Sequence, residues 1–132
     1  MTFELWMLLG AALFGLIHIS AASFSFKHQV GNRYTVGPRD EVIQPTGRAA
    51  RLHRASANFM ETFSIFIVCV VVLHFAEATG HLSRLGVTLY LGGRVLYLPL
   101  YVAGVPWLRS FAWNAATLGI VFVGAQVVVA SM

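Results

Sequence analysis

The sequence predicts an all-α membrane protein, a four-transmembrane-helix antiparallel bundle, and three observations carry that prediction. Hydrophobic residues make up 58% of the 132-residue chain and charged residues only 11%, where soluble domains carry about 25% charged residues. With a mean hydropathy of +0.74, the chain is too apolar to hide its hydrophobic side chains in one small core. The apolar residues also gather into four stretches, each about 20 residues or longer, enough to cross a hydrocarbon layer of about 30 Å. All but one of the connections are short, so consecutive helices pack as antiparallel neighbours. The length allows a single domain, residues 1–132.

The first span covers about 3–26 and is interrupted only by Glu4, His18 and a few serines. Its "SAAS" stretch resembles a cleavage site. The start "MTFELW" nevertheless lacks a basic n-region and the apolar run is too long for a signal peptide, so a retained helix is expected. Residues 27–50 are the one long loop, with Gly-Asn, Gly-Pro and Pro-Thr-Gly turn signals. The second span covers about 51–76 and the third about 82–102. In the third, Gly92 and Gly93 allow close helix approach and Pro99 introduces a kink. The fourth span covers about 107–129, and its distal half holds only Gln126 as a strongly polar residue.

Charge placement orients these spans. Lys27, Arg33, Arg39, Arg48, Arg51 and Arg54 cluster between the first two spans against Asp40 and Glu41, whereas the connection around Glu77–Arg84 is nearly neutral. The positive-inside rule therefore puts the long basic loop in the cytoplasm and both termini outside. The net charge of +4 follows from this topology. Basic and aromatic residues do not interleave on a polar surface, so no nucleic acid partner is expected. The single cysteine, Cys69, allows no intrachain disulfide and reads as a small buried hydrophobe. His18, His74 and His81 have no metal-ligand spacing, and no metal is expected.

Polar residues inside the spans carry the functional signal. At about 100° per residue, Arg51, Arg54, Asn58 and Glu61 fall within an arc of roughly 80° on the second span. Tyr90, Arg94, Tyr97 and Tyr101 fall within roughly 60° on the third. Charge at such depth costs about 2.5–3.5 kcal/mol, so Glu61 is the expected partner of Arg94. Arg109 and Ser110 open the fourth span at the depth of Arg51 and Arg54. Together these residues outline a cavity near the cytoplasmic boundary, and a cluster of guanidinium forks suits a small ligand with more than one acid group. Taken singly, each has a plainer reading. Arg51 and Arg54 serve as topology determinants that snorkel to headgroups, Tyr97 and Tyr101 as interface aromatics, and Glu61 with Arg94 as a structural ion pair.

The string "RASANFMETFSIF" resembles the signature of the membrane-associated proteins in eicosanoid and glutathione metabolism, the MAPEG superfamily. Arg54, Ala55, Asn58 and Glu61 match its Arg-Ala-x-x-Asn-x-x-Glu, and Arg94, Tyr97 and Tyr101 match its Arg-x-x-Tyr-x-x-x-Tyr. An arginine opening the fourth helix matches Arg109, and "LRSF" is similar to the prostaglandin E synthase branch. The resemblance covers essentially the whole chain. Ser64 stands where many members have proline, and Thr62 where some have tyrosine.

The resemblance implies a four-helix bundle assembled as a homotrimer, with glutathione bound between neighbouring subunits at the cytoplasmic side. By it, Arg54, Asn58, Glu61, Arg94, Tyr97 and Tyr101 bind the tripeptide, with Arg51 and Arg33 near its carboxylates. Arg109 and Ser110 are the candidate catalytic residues, because an adjacent cation lowers the pKa of a thiol. The implied activity is that of a glutathione-dependent membrane enzyme, a transferase or peroxidase acting on lipophilic electrophiles or hydroperoxides, as in the microsomal glutathione transferase branch. The alternative is a non-catalytic lipid-binding protein of the same fold, and Arg109 favours the enzyme. A channel or transporter is disfavoured because the outer halves of the spans are apolar. A bacterial inner membrane suits a compact chain without retention signals.

Overall fold

A computed structural model describes residues 1–132 as helices α1 (Phe3–Val30), α2 (Asn32–Val36), α3 (Gly47–Phe75), α4 (His81–Ala103) and α5 (Pro106–Ala130). All but the short α2 are long and apolar enough to cross a membrane. Local signals set their ends. Thr2 caps α1, its hydroxyl accepting from the Leu5 amide at 3.4 Å. Gly104, left-handed at φ +76°, terminates α4, and Pro106 occupies the first turn of α5, where its missing N–H costs nothing.

The loop end of the bundle is more helical than the sequence suggests. α1 continues from 26 to Val30, α3 starts at Gly47 rather than at 51, and α2 lies inside the expected loop. Lys27 and His28 in the last turn of α1 suit a helix C-terminus. The Gln29 amide closes the loop from both sides, donating to the Gln44 carbonyl at 3.0 Å and accepting from the Thr46 amide at 2.9 Å. The Tyr34 hydroxyl does the same further along, donating to the Glu41 carbonyl at 2.7 Å and accepting from Ile43 N at 3.1 Å. These are polar, local bonds, and hydrophobic periodicity carries no trace of them.

Small residues let α4 and α5 pack closely. A Cβ added at Gly86 would stand 2.6 Å from the Gly119 carbonyl, and one at Gly93 would stand 2.7 Å from the Ala112 carbonyl. Gly92, also expected at a close approach, faces open space. Beside this seam Phe66 of α3 stacks on Tyr90 of α4, ring centroids 3.9 Å apart. Large apolar side chains such as Leu16, Phe24, Val68 and Phe111 point outward instead, as lipid-facing positions do.

Few polar groups are fully buried. At the end of the bundle away from the basic loop, Ser83 donates to the Glu4 carboxylate at 2.7 Å and accepts from the Gly80 amide at 2.9 Å. One hydroxyl thus ties the start of α1 to the start of α4. His18 is buried midway along α1, stacked on Phe59 with centroids 4.6 Å apart. The remaining buried charge, Arg94, belongs to the other end.

Candidate functional site

The start of α3, the end of α4 and the start of α5 meet beside the basic loop, and their polar residues converge there. Arg51 donates to the Val102 carbonyl at 3.1 Å, using a carbonyl that the end of α4 leaves without a helical partner. Gly104 gives it room, since a Cβ there would sit 3.2 Å from the Arg51 guanidinium. Arg54 donates through Nε to the Tyr101 hydroxyl at 3.1 Å. Tyr101 in turn lies 5.4 Å from the Tyr97 ring and carries the Arg109 guanidinium over its face at 4.8 Å, within the reach of a cation–π contact.

A cleft of about 360 Å³ opens among Asn58, Tyr97, Tyr101, Arg109, Ser110, Trp113 and Asn114, within the usual range of small-ligand sites of about 300–1,000 Å³. Arg109 makes no hydrogen bond and meets no carboxylate within the chain, so its charge is held by a ring face and left unneutralised. The Ser110 hydroxyl bonds back to the Pro106 carbonyl at 3.0 Å, and the Asn114 amide donates to the Ser110 carbonyl at 2.9 Å.

Arg94 lies behind this cleft, fully buried. Its Nη1 donates to Asn58 Oδ1 at 2.8 Å and its Nη2 to the Thr62 hydroxyl. Its guanidinium carbon stands 5.3 Å from the Tyr97 ring and 5.8 Å from the Tyr90 ring. The expected bond between Arg94 and Glu61 is not formed. Helix geometry explains the difference: Asn58 and Thr62 are four residues apart and about 40° from each other, whereas Glu61 is about 100° from Thr62. The face that reaches Arg94 therefore presents neutral acceptors, and the Glu61 carboxylate stays exposed.

The structure thus brings Asn58, Tyr97, Tyr101, Arg109 and Ser110 into one cleft, with Arg54 joined through the Tyr101 hydroxyl and Arg51 on the last turn of α4. Arg94 holds Asn58 from behind, Glu61 stands outside the lining, and Arg33 is exposed on α2. Sequence reasoning missed Thr62, Trp113 and Asn114. Helical spacing marked each of them, since Thr62 follows Asn58 by four, Trp113 follows Arg109 by four and Asn114 follows Ser110 by four. Ser64, in the proline position, donates to the Glu61 carbonyl at 3.0 Å, and α3 runs through it without a break.

Four apolar helices, three of which line a basic, aromatic cleft at one end, define a multi-pass integral membrane protein with a polar site at its boundary. The sequence profile of the MAPEG family matches residues 3–129, and the chain belongs to that family. The family includes both glutathione-dependent enzymes and non-catalytic activating proteins. A search of curated proteins finds no match to the chain.

Proposed function

We propose that the protein is a glutathione-dependent membrane enzyme, a transferase or peroxidase directed at lipophilic electrophiles or hydroperoxides. The observation that carries this reading is Arg109, a cation fixed over the Tyr101 ring in the cleft with no anion of its own. The donor set fits the tripeptide, which has two carboxylates and one amine. Arg54, bonded to Tyr101 of the cleft, and Arg51, bonded to the Val102 carbonyl, are the candidates for carboxylates, Asn58 offers an amide, and the exposed Glu61 suits an ammonium. Glutathione bound there supplies a nucleophilic thiol.

Each side chain then has a definite task. Arg109 stabilises negative charge on an atom in front of it and so favours a thiolate over a thiol. Tyr101 keeps that guanidinium in place through its ring and holds Arg54 through its hydroxyl. Arg94 is a positioning residue, fixing the Asn58 amide from behind. Ser110 offers lone pairs, since its proton goes to the Pro106 carbonyl. The cleft opens beside outward-facing Phe111 and Trp107, which gives an apolar co-substrate a path from the bilayer. Charged Arg54 and Glu61 exposed on a membrane helix support assembly with further copies, a homotrimer by family likeness, in which a neighbour covers them.

The rival reading, a non-catalytic lipid-binding protein, draws on a cavity of about 570 Å³ between α1 and α3 whose walls are entirely apolar, Phe63 and Ile67 among them. One experiment separates the two. Glutathione is titrated into the detergent-purified protein while absorbance is followed in the thiolate band at neutral pH. A thiolate signal that disappears in Arg109→Ala with binding retained, together with weaker binding in Glu61→Gln, supports the enzyme. No binding at millimolar glutathione refutes it and favours the rival.

A further inference from the structure

A second cavity, of about 550 Å³, lies on another side of α4 from the cleft. Tyr97 and Tyr101 face the cleft, whereas Leu98 and Val102, each about 100° further round the helix, face this groove. Phe24 of α1 and Leu52 of α3 form the opposing walls. The groove has a polar end as well as an apolar body. His28 stands in the last turn of α1 and Arg48 in the first turn of α3, both exposed and both at the end that borders the basic loop.

Neither basic side chain is spoken for. Arg48 and His28 make no hydrogen bond within the chain, in contrast to Arg39, Arg51, Arg54 and Arg94, each of which is bonded. The apolar walls begin one turn below them, at Phe24 and Leu52. Free donors at the membrane boundary over an apolar slot match one amphiphile, an anion with a hydrocarbon tail. The apolar cavity between α1 and α3 offers the contrast, having no polar group in its lining.

We propose that this groove binds one anionic phospholipid from the leaflet bordering the basic loop. The phosphate sits between Arg48 and His28, and one acyl chain lies between α1, α3 and α4. A second copy of the chain is a poorer occupant because it has few acids to offer. Glu4 is buried against Ser83 and Glu77 lies beyond the far end of α3, which leaves Asp40, Glu41 and Glu61. This proposal is independent of the glutathione reading, since neither Arg48 nor His28 lines the cleft.

The test is native mass spectrometry of the full chain released from vesicles of equal phosphatidylglycerol and phosphatidylcholine. The wild-type protein is expected to retain one phosphatidylglycerol per chain, preferred over phosphatidylcholine by about fivefold or more. Arg48→Ala should lower that preference about fivefold, the effect of one basic residue beside an anionic headgroup, while Arg48→Lys keeps most of it. Ala21→Phe fills the groove without touching charge and should abolish retention of either lipid. Glutathione binding, measured in parallel, stays unchanged in all three variants. Equal retention of the two lipids by the wild type overturns the proposal without reference to any variant. An undiminished preference in Arg48→Ala, or undiminished retention in Ala21→Phe, overturns it equally.

Discussion

Replacing Thr62 by valine tests whether Arg94 depends on neutral acceptors. The substitution keeps the shape of the side chain and removes the hydroxyl that accepts from Arg94 Nη2 and lies 3.4 Å from the Tyr90 hydroxyl. Arg94 is fully buried and its Nε already lacks a partner, so no water is at hand to replace the lost acceptor. Hydrogen bonds to charged groups are worth about 1.5–3 kcal/mol, and an expected loss of about 2–3 kcal/mol follows. Denaturant titration in mixed micelles reads it directly. Thr62→Ser keeps the hydroxyl and should lose less than about 1 kcal/mol. Combining Thr62→Val with Arg94→Met removes the stranded charge, and the pair should cost less than the sum of the single changes. Glutathione affinity should fall with Thr62→Val as well, because Asn58 shares the same guanidinium. A Thr62→Val protein within about 0.5 kcal/mol of wild type would show that the hydroxyl contributes nothing to holding Arg94 and would refute this account.

Three further outcomes are expected. Gly86→Ala pushes a methyl against the Gly119 backbone and should destabilise by about 1–3 kcal/mol, whereas Gly92→Ala meets open space and should stabilise by up to about 1 kcal/mol; the same titration compares the two. Ser83→Ala strips the buried Glu4 carboxylate of its donor and should cost about 1–3 kcal/mol, with glutathione titration unaffected at the far end of the bundle. Tyr101→Phe keeps the ring under Arg109 but frees Arg54. It should weaken glutathione binding by about three- to tenfold, the worth of one hydrogen bond, and leave the thiolate absorbance per bound ligand unchanged.

The fold was legible because the bilayer imposes one dominant signal, and four apolar runs of sufficient length carry it. The boundaries near the loop were not, since Gln29 and Tyr34 act through single hydrogen bonds to backbone groups that hydropathy does not see. Helical spacing put Asn58 on one polar stripe and Tyr97 and Tyr101 on another, and depth at the start of the fourth span added Arg109; all four line the cleft. It misled over Glu61 because opposite charge suggested a pair, while the side chains on the facing surface were Asn58 and Thr62. Its spacing of four from Asn58 puts Thr62 on the same face, but its role as the second acceptor shows only once α4 and Arg94 are placed. The same holds for Gly86 and Gly119, whose meaning lies in their distance from each other and not in either position alone.

The bond between Ser83 and Glu4 spans 79 positions of sequence, and this separation imposes an order on biosynthesis. When α1 first enters the bilayer, its carboxylate has no donor within the chain and must stay near water, because burial alone costs several kcal/mol. The donor exists only after α3 has crossed and the chain has turned back into α4. The N-terminal end of α1 is therefore fastened only when α4 begins to cross, and a chain truncated before Ser83 leaves that end unsecured.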